Sequence, residues 1–174
     1  MLNNNNRTDA LRARLIIYVL TATVIIPCQF QLEAMPATLN GRDSIITAGT
    51  GSGKTLCIII PILLCPGTVT MTISPLKWLQ ATQVLESVKY GINTISINKD
   101  TPNDPSLWED IHAGKFSHLI VSPEQLSMFN GHLPCLARLI RQDRAFTQQI
   151  KRVHVDEAHN IYIAGLSHHG EEAF

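Results

Sequence analysis

The sequence has few charged residues and no net charge. Only 16% of its 174 residues are charged, and 14 acidic residues balance 14 basic ones. A chain without net charge lacks the broad basic surface of a protein that clamps nucleic acid, so any contact with a polyanion must be local. With 45% hydrophobic residues, the low charge also excludes a disordered chain and predicts one domain with a sizeable core.

Cysteine is sparse as well. The four cysteines, Cys28, Cys57, Cys65 and Cys135, show neither a CxxC spacing nor a Cys/His pattern. This excludes the usual structural zinc sites and a disulfide framework. Reduced thiols in an intracellular protein are the expectation that follows.

Long hydrophobic runs are missing. The apolar stretch at residues 15–26 follows Arg7, Arg12 and Arg14, as in a signal peptide, but it is only twelve residues long. A membrane-spanning helix needs about 20 residues. No convincing cleavage site stands before Pro27. We therefore expect no membrane partner and no secretion.

The rest of the chain alternates short apolar strands with helices, which is typical of an α/β fold with a parallel sheet covered on both faces. Residues 1–14 are predicted to be a polar, partly disordered tail, and 15–174 a single domain. Strands are predicted at residues 44–47, 69–73, 92–97, 119–121 and 153–155. Helices are predicted up to residue 64 with an interruption at Pro61, over residues 76–90, and from Ser106 to about Gly114.

A Ser-Pro pair follows two of the predicted strands, at residues 74–75 and 122–123. Serine suits a helix N-cap and proline the first helical position. The two pairs predict helix N-termini at the carboxyl edge of the sheet, where free amides favour phosphate, although ordinary helix starts are the alternative. Trp78 and Trp108 follow on helical patterns, where core packing is more common than stacking on bases.

The strongest motif is a glycine-rich segment between a predicted strand and a helix. It consists of Ala48, Gly49, Thr50, Gly51, Ser52, Gly53, Lys54 and Thr55. Small residues let backbone amides converge on phosphates, the lysine reaches the β and γ phosphates, and the hydroxyl ligates Mg²⁺. The strict pattern begins with glycine where this chain has Ala48. We predict an ATP site with Lys54 on the phosphates and Thr55 on the metal.

A second motif, Asp156-Glu157-Ala158-His159, ends the last apolar strand. An Asp in this position next to a phosphate loop can hold Mg²⁺, and the following Glu can position the attacking water. An isolated Asp-Glu pair at a strand end is usually a helix cap. After a phosphate loop, ATP hydrolysis is the favoured interpretation, with Asp156 on the metal and Glu157 on the water.

Together the two motifs, AGTGSGKT and DEAH, resemble motifs I and II of superfamily 2 helicases, which are ATP-driven motors with two RecA-like domains. The resemblance implies a RecA-like P-loop NTPase fold that binds ATP and Mg²⁺, with His159 coupling the site to the polynucleotide. Gln31 is similar to the family's adenine-reading glutamine, with Gln29 as the alternative. Residues 72–76 and 120–124 resemble motifs Ia and Ic of the family, which implies nucleic-acid contacts by Ser74, Pro75, Lys77 and Ser122.

Three segments look most like RecQ-type DNA helicases: residues 41–43, 74–76 and 122–126. This resemblance implies 3'-5' DNA unwinding in repair and recombination, and a nuclear location in a eukaryote. The aromatic loop of that family corresponds to residues 160–165, which hold Tyr162 but not the usual tryptophan.

The resemblance covers residues 27–174, and the sequence contains neither motif III nor the second RecA-like domain with motifs IV to VI. In related enzymes an arginine finger contributes about 10³ to 10⁵ in rate, and here the second domain would supply it. We therefore expect an ATP-binding half that needs a second domain or a partner chain in order to unwind. An RNA helicase fragment and a non-catalytic nucleotide-binding or partner-binding module are the alternatives.

Overall fold

The computed structural model describes residues 4–22, 26–49, 51–128 and 131–159. In chain order the elements are α1 (Asn4–Thr21), α2 (Gln29–Leu39), α3 (Leu56–Leu64), β1 (Val69–Ile73), α4 (Lys77–Val88), β2 (Thr94–Ile97), α5 (Pro105–His112), β3 (His118–Val121), α6 (Cys135–Gln142), α7 (Arg144–Gln149) and β4 (Ile150–Val155). A short 3-10 turn, Pro123–Gln125, lies between β3 and α6. The predicted α/β class is confirmed.

The four strands form one parallel sheet in the order β2-β3-β1-β4. All of β3 and most of β1 are buried, as expected for parallel strands covered on both faces. Because the strands are parallel, their carboxyl ends share one edge. The residues that follow β1, β3 and β4 along this edge are Ser74, Ser122 and Asp156.

Two apolar clusters hold the helices. In the first, α1 and α3 pack together with α2 through residues such as Ile17, Met35 and Ile59. In the second, the sheet packs against α5, α6 and α7 through residues such as Leu119 and Phe146. The helices before β1 and those after β2 thus have separate apolar cores.

Helix α4 packs on the sheet mainly through polar groups. It buries Gln80, Gln83 and Ser87, where a helix covering a sheet usually buries aliphatic side chains. Beneath it, Thr72 of β1 and His118 of β3 pair through Oγ1 and Nε2 at 2.8 Å. This buried polar layer extends from the carboxyl edge of the sheet, where Gln80 meets Ser74, to the first residue of β3, His118.

Two predictions for the N-terminal third are wrong. Residues 4–14, predicted as a polar tail, belong to α1, because Ala13 and Ile17 are buried against the first cluster. Residues 44–47, predicted as a strand, are outside the sheet, and Ile45 is 97% exposed. Only two of these four residues are apolar, so pairing would bury little surface to offset the cost of ordering the segment.

Helix starts also differ from the predictions. Asp104 caps α5 by accepting from the Ser106 backbone N–H at 3.0 Å, so the cap lies two residues before the predicted one. Of the two Ser-Pro pairs, the first precedes α4, whose N-cap is Leu76. In the second, Ser122 precedes a 3-10 turn and makes no side-chain cap. The Ser-Pro pairs therefore do not cap two α-helices.

Helix α3 continues through Pro61, where an interruption was predicted. A proline inside a helix removes one backbone hydrogen bond. The loss is offset by burial, since Cys57, Ile59, Ile60 and Ile62 of this helix are all buried. None of the described helices is both long and apolar enough to cross a membrane.

Candidate nucleotide site

The glycine-rich loop leads into α3 through tight turns. Gly51 and Gly53 have φ angles of +77° and +80°, a left-handed conformation that favours glycine. The Ser52 N–H donates to the Gly49 carbonyl at 3.3 Å and closes the loop. The Ser52 hydroxyl is buried without a hydrogen-bond partner, and buried hydroxyls almost always have one. The loop therefore holds a hydroxyl whose hydrogen-bonding capacity is unused.

Lys54 folds back over this loop. Its ammonium group donates to the Ala48 carbonyl at 2.8 Å and to the Gly49 carbonyl at 3.5 Å. A phosphate group would offer the ammonium a charged acceptor, and charge-assisted hydrogen bonds are the stronger ones. The ammonium, the Ser52 hydroxyl and the glycine turns together form a set of donors that fits a polyphosphate.

Gln31 braces the loop from α2. Its side chain is buried, its Nε2 donates to the Gly53 carbonyl at 2.8 Å, and its Oε1 accepts from the Cys28 N–H at 2.8 Å. A Cβ on Gly53 would lie 2.8 Å from this Nε2, so a larger residue there would displace the end of the Gln31 side chain. Gln29, the alternative, is exposed and donates to Glu33 at 2.9 Å. Of the two glutamines, Gln31 is the one that contacts the phosphate loop.

Asp156 lies at the carboxyl end of β4, and its backbone N–H donates to the Ile73 carbonyl at 2.9 Å. Its Oδ1 accepts from the Glu157 N–H at 3.0 Å, and its Oδ2 accepts from Gln83 Nε2 at 2.6 Å. Sequence reasoning missed Gln83. The sequence carries one signal for it, a row of polar residues at helical spacing in α4: Gln80, Gln83 and Ser87.

Glu157 has a strained backbone. Its φ of +51° places a non-glycine residue in the left-handed region, which costs about 1–2 kcal/mol. Such strain is concentrated at functional sites. Its Oε2 lies 3.1 Å from His159 Nδ1, so Glu157 and His159, two of the predicted catalytic residues, pair at the surface.

The predicted nucleic-acid residues lie near one edge. Ser74 and Ser122 are buried, and the Ser74 hydroxyl has no partner. Pro75 is half-buried. Lys77 is ion-paired with Asp100, and the hydrogen bond from Lys77 lowers the pKa of that carboxyl. Trp78, expected in the core, is 67% exposed beside Lys77 because it lies on the outer face of α4.

Two histidines lie in the polar layer under α4. Burial, followed by the neighbouring His154, lowers the pKa of His118 to about 4. Burial, followed by Arg152, lowers the pKa of His154 to about 4. The Nε2 of His154 is buried without a partner. Both imidazoles are therefore neutral at physiological pH.

The described residues form two halves of a site. One half joins Gln31 to Gly53 and the Lys54 loop, and the other joins Gln83 to Asp156 and Glu157. Within the described ranges, no hydrogen bond or ion pair connects residues 51–55 with residues 156–159. The predictions for Thr50 and Tyr162 lie outside the described residues.

The described residues contain no group of three or more His, Cys, Asp or Glu side chains that could hold a metal ion. Mg²⁺ is commonly bound through one or two carboxylates together with substrate phosphates and water. Asp156 and the Thr55 hydroxyl fit such a shared site, because they carry the hard oxygen ligands that this ion prefers.

Comparisons with known proteins point to one family. Residues 28–171 match the family model of the DEAD/DEAH box helicases. The ATP-dependent DNA helicase RecQ of Pasteurella multocida is 33% identical over 120 residues, which are 66% of this chain and 19% of that protein. The ATP-dependent RNA helicase ROK1 of Vanderwaltozyma polyspora is 29% identical over 143 residues, or 78% of this chain and 25% of that protein. The chain thus spans a quarter or less of these relatives.

Solved structures show the same fold. A hypothetical ATP-dependent RNA helicase from Sulfolobus tokodaii aligns with a TM-score of 0.59 at 19% identity, covering 93% of this chain and 44% of its own. Mycobacterium smegmatis Lhr, bound to ssDNA and AMP-PNP, aligns with a TM-score of 0.57 at 24% identity, covering 90% and 21%. The predicted RecA-like fold is confirmed. Since the family model spans most of its sequence, this chain belongs to the DEAD/DEAH box helicase family.

Proposed function

We propose that the chain is the ATP-binding part of a RecQ-like DNA helicase. The observation that carries the proposal is the glycine-rich loop, in which the Lys54 ammonium donates to the Ala48 and Gly49 carbonyls and the Ser52 hydroxyl has no hydrogen-bond partner. A phosphate would offer this ammonium a charged acceptor in place of neutral carbonyls. The residues that wrap the phosphates in this proposal are Ala48, Gly49, Thr50, Gly51, Ser52, Gly53, Lys54 and Thr55.

Roles at the second half of the site follow from its geometry. Asp156 and Thr55 would hold Mg²⁺, which when bound neutralises charge on the phosphates. Glu157, fixed by its strained backbone, accepts hydrogen bonds and so positions the attacking water. His159 pairs with Glu157, and in this proposal that contact couples the site to the polynucleotide. Gln31 reads adenine while it braces Gly53.

Nucleic acid would bind along the sheet edge. Ser74, Pro75 and Ser122 lie after neighbouring strands, Lys77 begins α4, and the exposed Trp78 can stack on a base. The DEAH sequence and the Ser-Pro-Leu segment favour DNA, with 3'-5' movement by resemblance. Tighter binding of single-stranded RNA than of single-stranded DNA of equal length would favour the RNA helicase alternative.

Turnover should depend on a second RecA-like domain or a partner chain. The family resemblance places the arginine finger on that second domain, and such fingers contribute about 10³ to 10⁵ in rate. The proposal therefore includes tight binding of ATP by this chain and slow hydrolysis. An intracellular, and in a eukaryote nuclear, location follows from the same resemblance.

One observation fits both the ATP-binding half of a helicase and the non-catalytic alternative. In the described sheet β4 is an edge strand, and its Val153 and Val155 are about half exposed. Apolar exposure at a sheet edge is typical of a surface that docks on another chain. Binding of Mg·ATP without any turnover, even when single-stranded DNA and a second helicase domain are added, would support this alternative.

The proposed ATP site makes a direct prediction. Lys54→Ala should abolish Mg·ATP binding measured by calorimetry, because it removes the charge that meets the phosphates. Glu157→Gln should bind ATP as the wild type does and lose single-turnover hydrolysis, because it no longer activates the attacking water. Lys89→Ala, at an exposed lysine, is the matched control. Equal ATP affinity in the wild type and Lys54→Ala would contradict the proposed function.

A further inference from the structure

We propose that Gln83 is a positioning residue that orients the Asp156 carboxylate for Mg²⁺. The proposal rests on the proposed function and extends it to a residue outside the two sequence motifs. Gln83 is only 6% exposed, and its Nε2 donates to Asp156 Oδ2 at 2.6 Å. The contact joins α4 to the end of β4, across 73 residues of sequence.

Two donors from different elements fix the plane of the carboxylate. Asp156 Oδ1 accepts from the Glu157 N–H at 3.0 Å, and Oδ2 accepts from Gln83. Each carboxylate oxygen has a second lone pair, so an acceptor site remains on each for a cation or its bound water. Without Gln83 the local backbone contact alone would hold the side chain, and rotation about its terminal torsion would be less restricted.

The amide of Gln83 has one workable orientation. Turning it over would place its carbonyl oxygen against the carboxylate, so the amino group must face Asp156. In this orientation the Oε1 of Gln83 is buried without a partner. Buried polar atoms in this state are uncommon and unfavourable, and an aliphatic residue would avoid the problem. The hydrogen bond to Asp156 offsets the unfavourable free energy of burying this unpaired oxygen.

Helix α4 holds Gln83 in place. The Ser87 hydroxyl donates to the Gln83 backbone carbonyl at 2.8 Å, and one turn earlier Gln80 Nε2 donates to the Ser74 carbonyl at 2.7 Å. The Gln80 contact ties the helix to the end of β1, and the Ser87 contact fixes the helix backbone at Gln83. Groups that hold metal-binding side chains in this way typically change metal affinity by about 10- to 100-fold when they are replaced.

The test measures ATP binding to the 174-residue chain by calorimetry, once with Mg²⁺ and once with EDTA. Gln83→Met keeps the length of the side chain and removes the donor. It should lower ATP affinity in Mg²⁺ by about tenfold or more and leave the affinity in EDTA unchanged, because only the metal contact is disturbed. Thr82→Ala, which removes an exposed hydroxyl that bonds the Trp78 carbonyl of the same helix, is the matched control and should keep both affinities.

A double-mutant cycle shows whether Gln83 acts through Asp156. In an Asp156→Asn background, Gln83→Met should have no further effect on ATP affinity in Mg²⁺. Thermal melting reports whether each variant folds. If Gln83→Met does not fold, Gln83→Asn replaces it, because the shorter asparagine side chain cannot reach Asp156. The positioning role would be overturned if Gln83→Met lost as much ATP affinity in EDTA as in Mg²⁺. It would also be overturned if Gln83→Met kept its full effect in the Asp156→Asn background. Wild-type chain that binds no ATP in either condition would instead overturn the proposed function.

Discussion

His118 illustrates how strongly a single buried residue depends on its surroundings. It lies on β3 under α4, its Nε2 is 2.8 Å from Thr72 Oγ1, and its Nδ1 is 3.5 Å from Ser87 Oγ. His154 is its titratable neighbour on β4. The polar layer accommodates the neutral ring and disfavours the charged one, because a protonated imidazole there would be cut off from water.

This environment makes the stability of the protein depend on pH. The pKa of His118 is lowered from 6.5 to about 4. Between these two values the unfolded chain binds a proton and the folded chain does not. The free energy of unfolding should therefore fall as the pH drops from 6.5 to 4, with His118 contributing up to about 3 kcal/mol.

Urea denaturation of the wild type and of His118→Gln at several pH values between 7 and 4.5 measures this effect. His118→Gln should show a shallower pH dependence, with the contribution of His154 remaining. His132→Gln, at an exposed histidine, is the control and should follow the wild type. Identical pH dependence in His118→Gln and the wild type would show that the ring is not held neutral by the fold.

At the scale of elements, β4 is the edge strand of the described sheet. It pairs with β1 alone, and its side chains alternate between partly buried and exposed. Residues 44–47, predicted as a strand, do not extend the sheet beyond it. Strand β3, in contrast, is buried along its whole length. This difference in burial can be tested at one level of the sheet, where Ile73 of β1 pairs with both strands.

Ile73 of β1 is in register with Val121 of β3 on one side and Val155 of β4 on the other. Val121 is 0% exposed and Val155 is 46% exposed. Val121→Thr should lower the free energy of unfolding by about 1–3 kcal/mol, because it buries a hydroxyl without a partner.

Val155→Thr should change the free energy of unfolding by less than about 0.5 kcal/mol, because water reaches its hydroxyl. Chemical denaturation of both variants against the wild type gives the comparison. A loss at Val155 as large as that at Val121 would mean that β4 is covered in solution and that its position at the sheet edge is wrong.

For the whole molecule, the balance of charge sets how it can meet nucleic acid. With a net charge of zero, long-range attraction is weak and individual ion pairs decide the local potential. The side chain of Lys77 is 40% exposed and ion-paired with Asp100, which is itself 69% exposed. An exposed ion pair of this kind exchanges readily with another anion, such as a phosphate.

Removing the partner of Lys77 should therefore strengthen nucleic-acid binding. Asp100→Asn should raise the affinity for a fluorescent single-stranded DNA severalfold at low salt, and Lys77→Gln should reduce the salt slope by about 1. Asp110→Asn changes the net charge equally and releases Lys115 from a similar exposed ion pair, so it is the matched control. The same gain in both Asp→Asn variants would show that overall charge, and not Lys77, is responsible.

Local sequence alone predicts the strand at residues 69–73 and the places of the two motifs along the chain. These depend on neighbouring residues, because a glycine-rich loop or an Asp-Glu pair is a local pattern that the chain carries wherever it folds. Tertiary structure decided that Gln83 meets Asp156, that α4 packs through polar groups, and that residues 44–47 lie outside the sheet. Those outcomes depend on which surfaces the elements bury against each other, and such contacts join residues far apart in sequence.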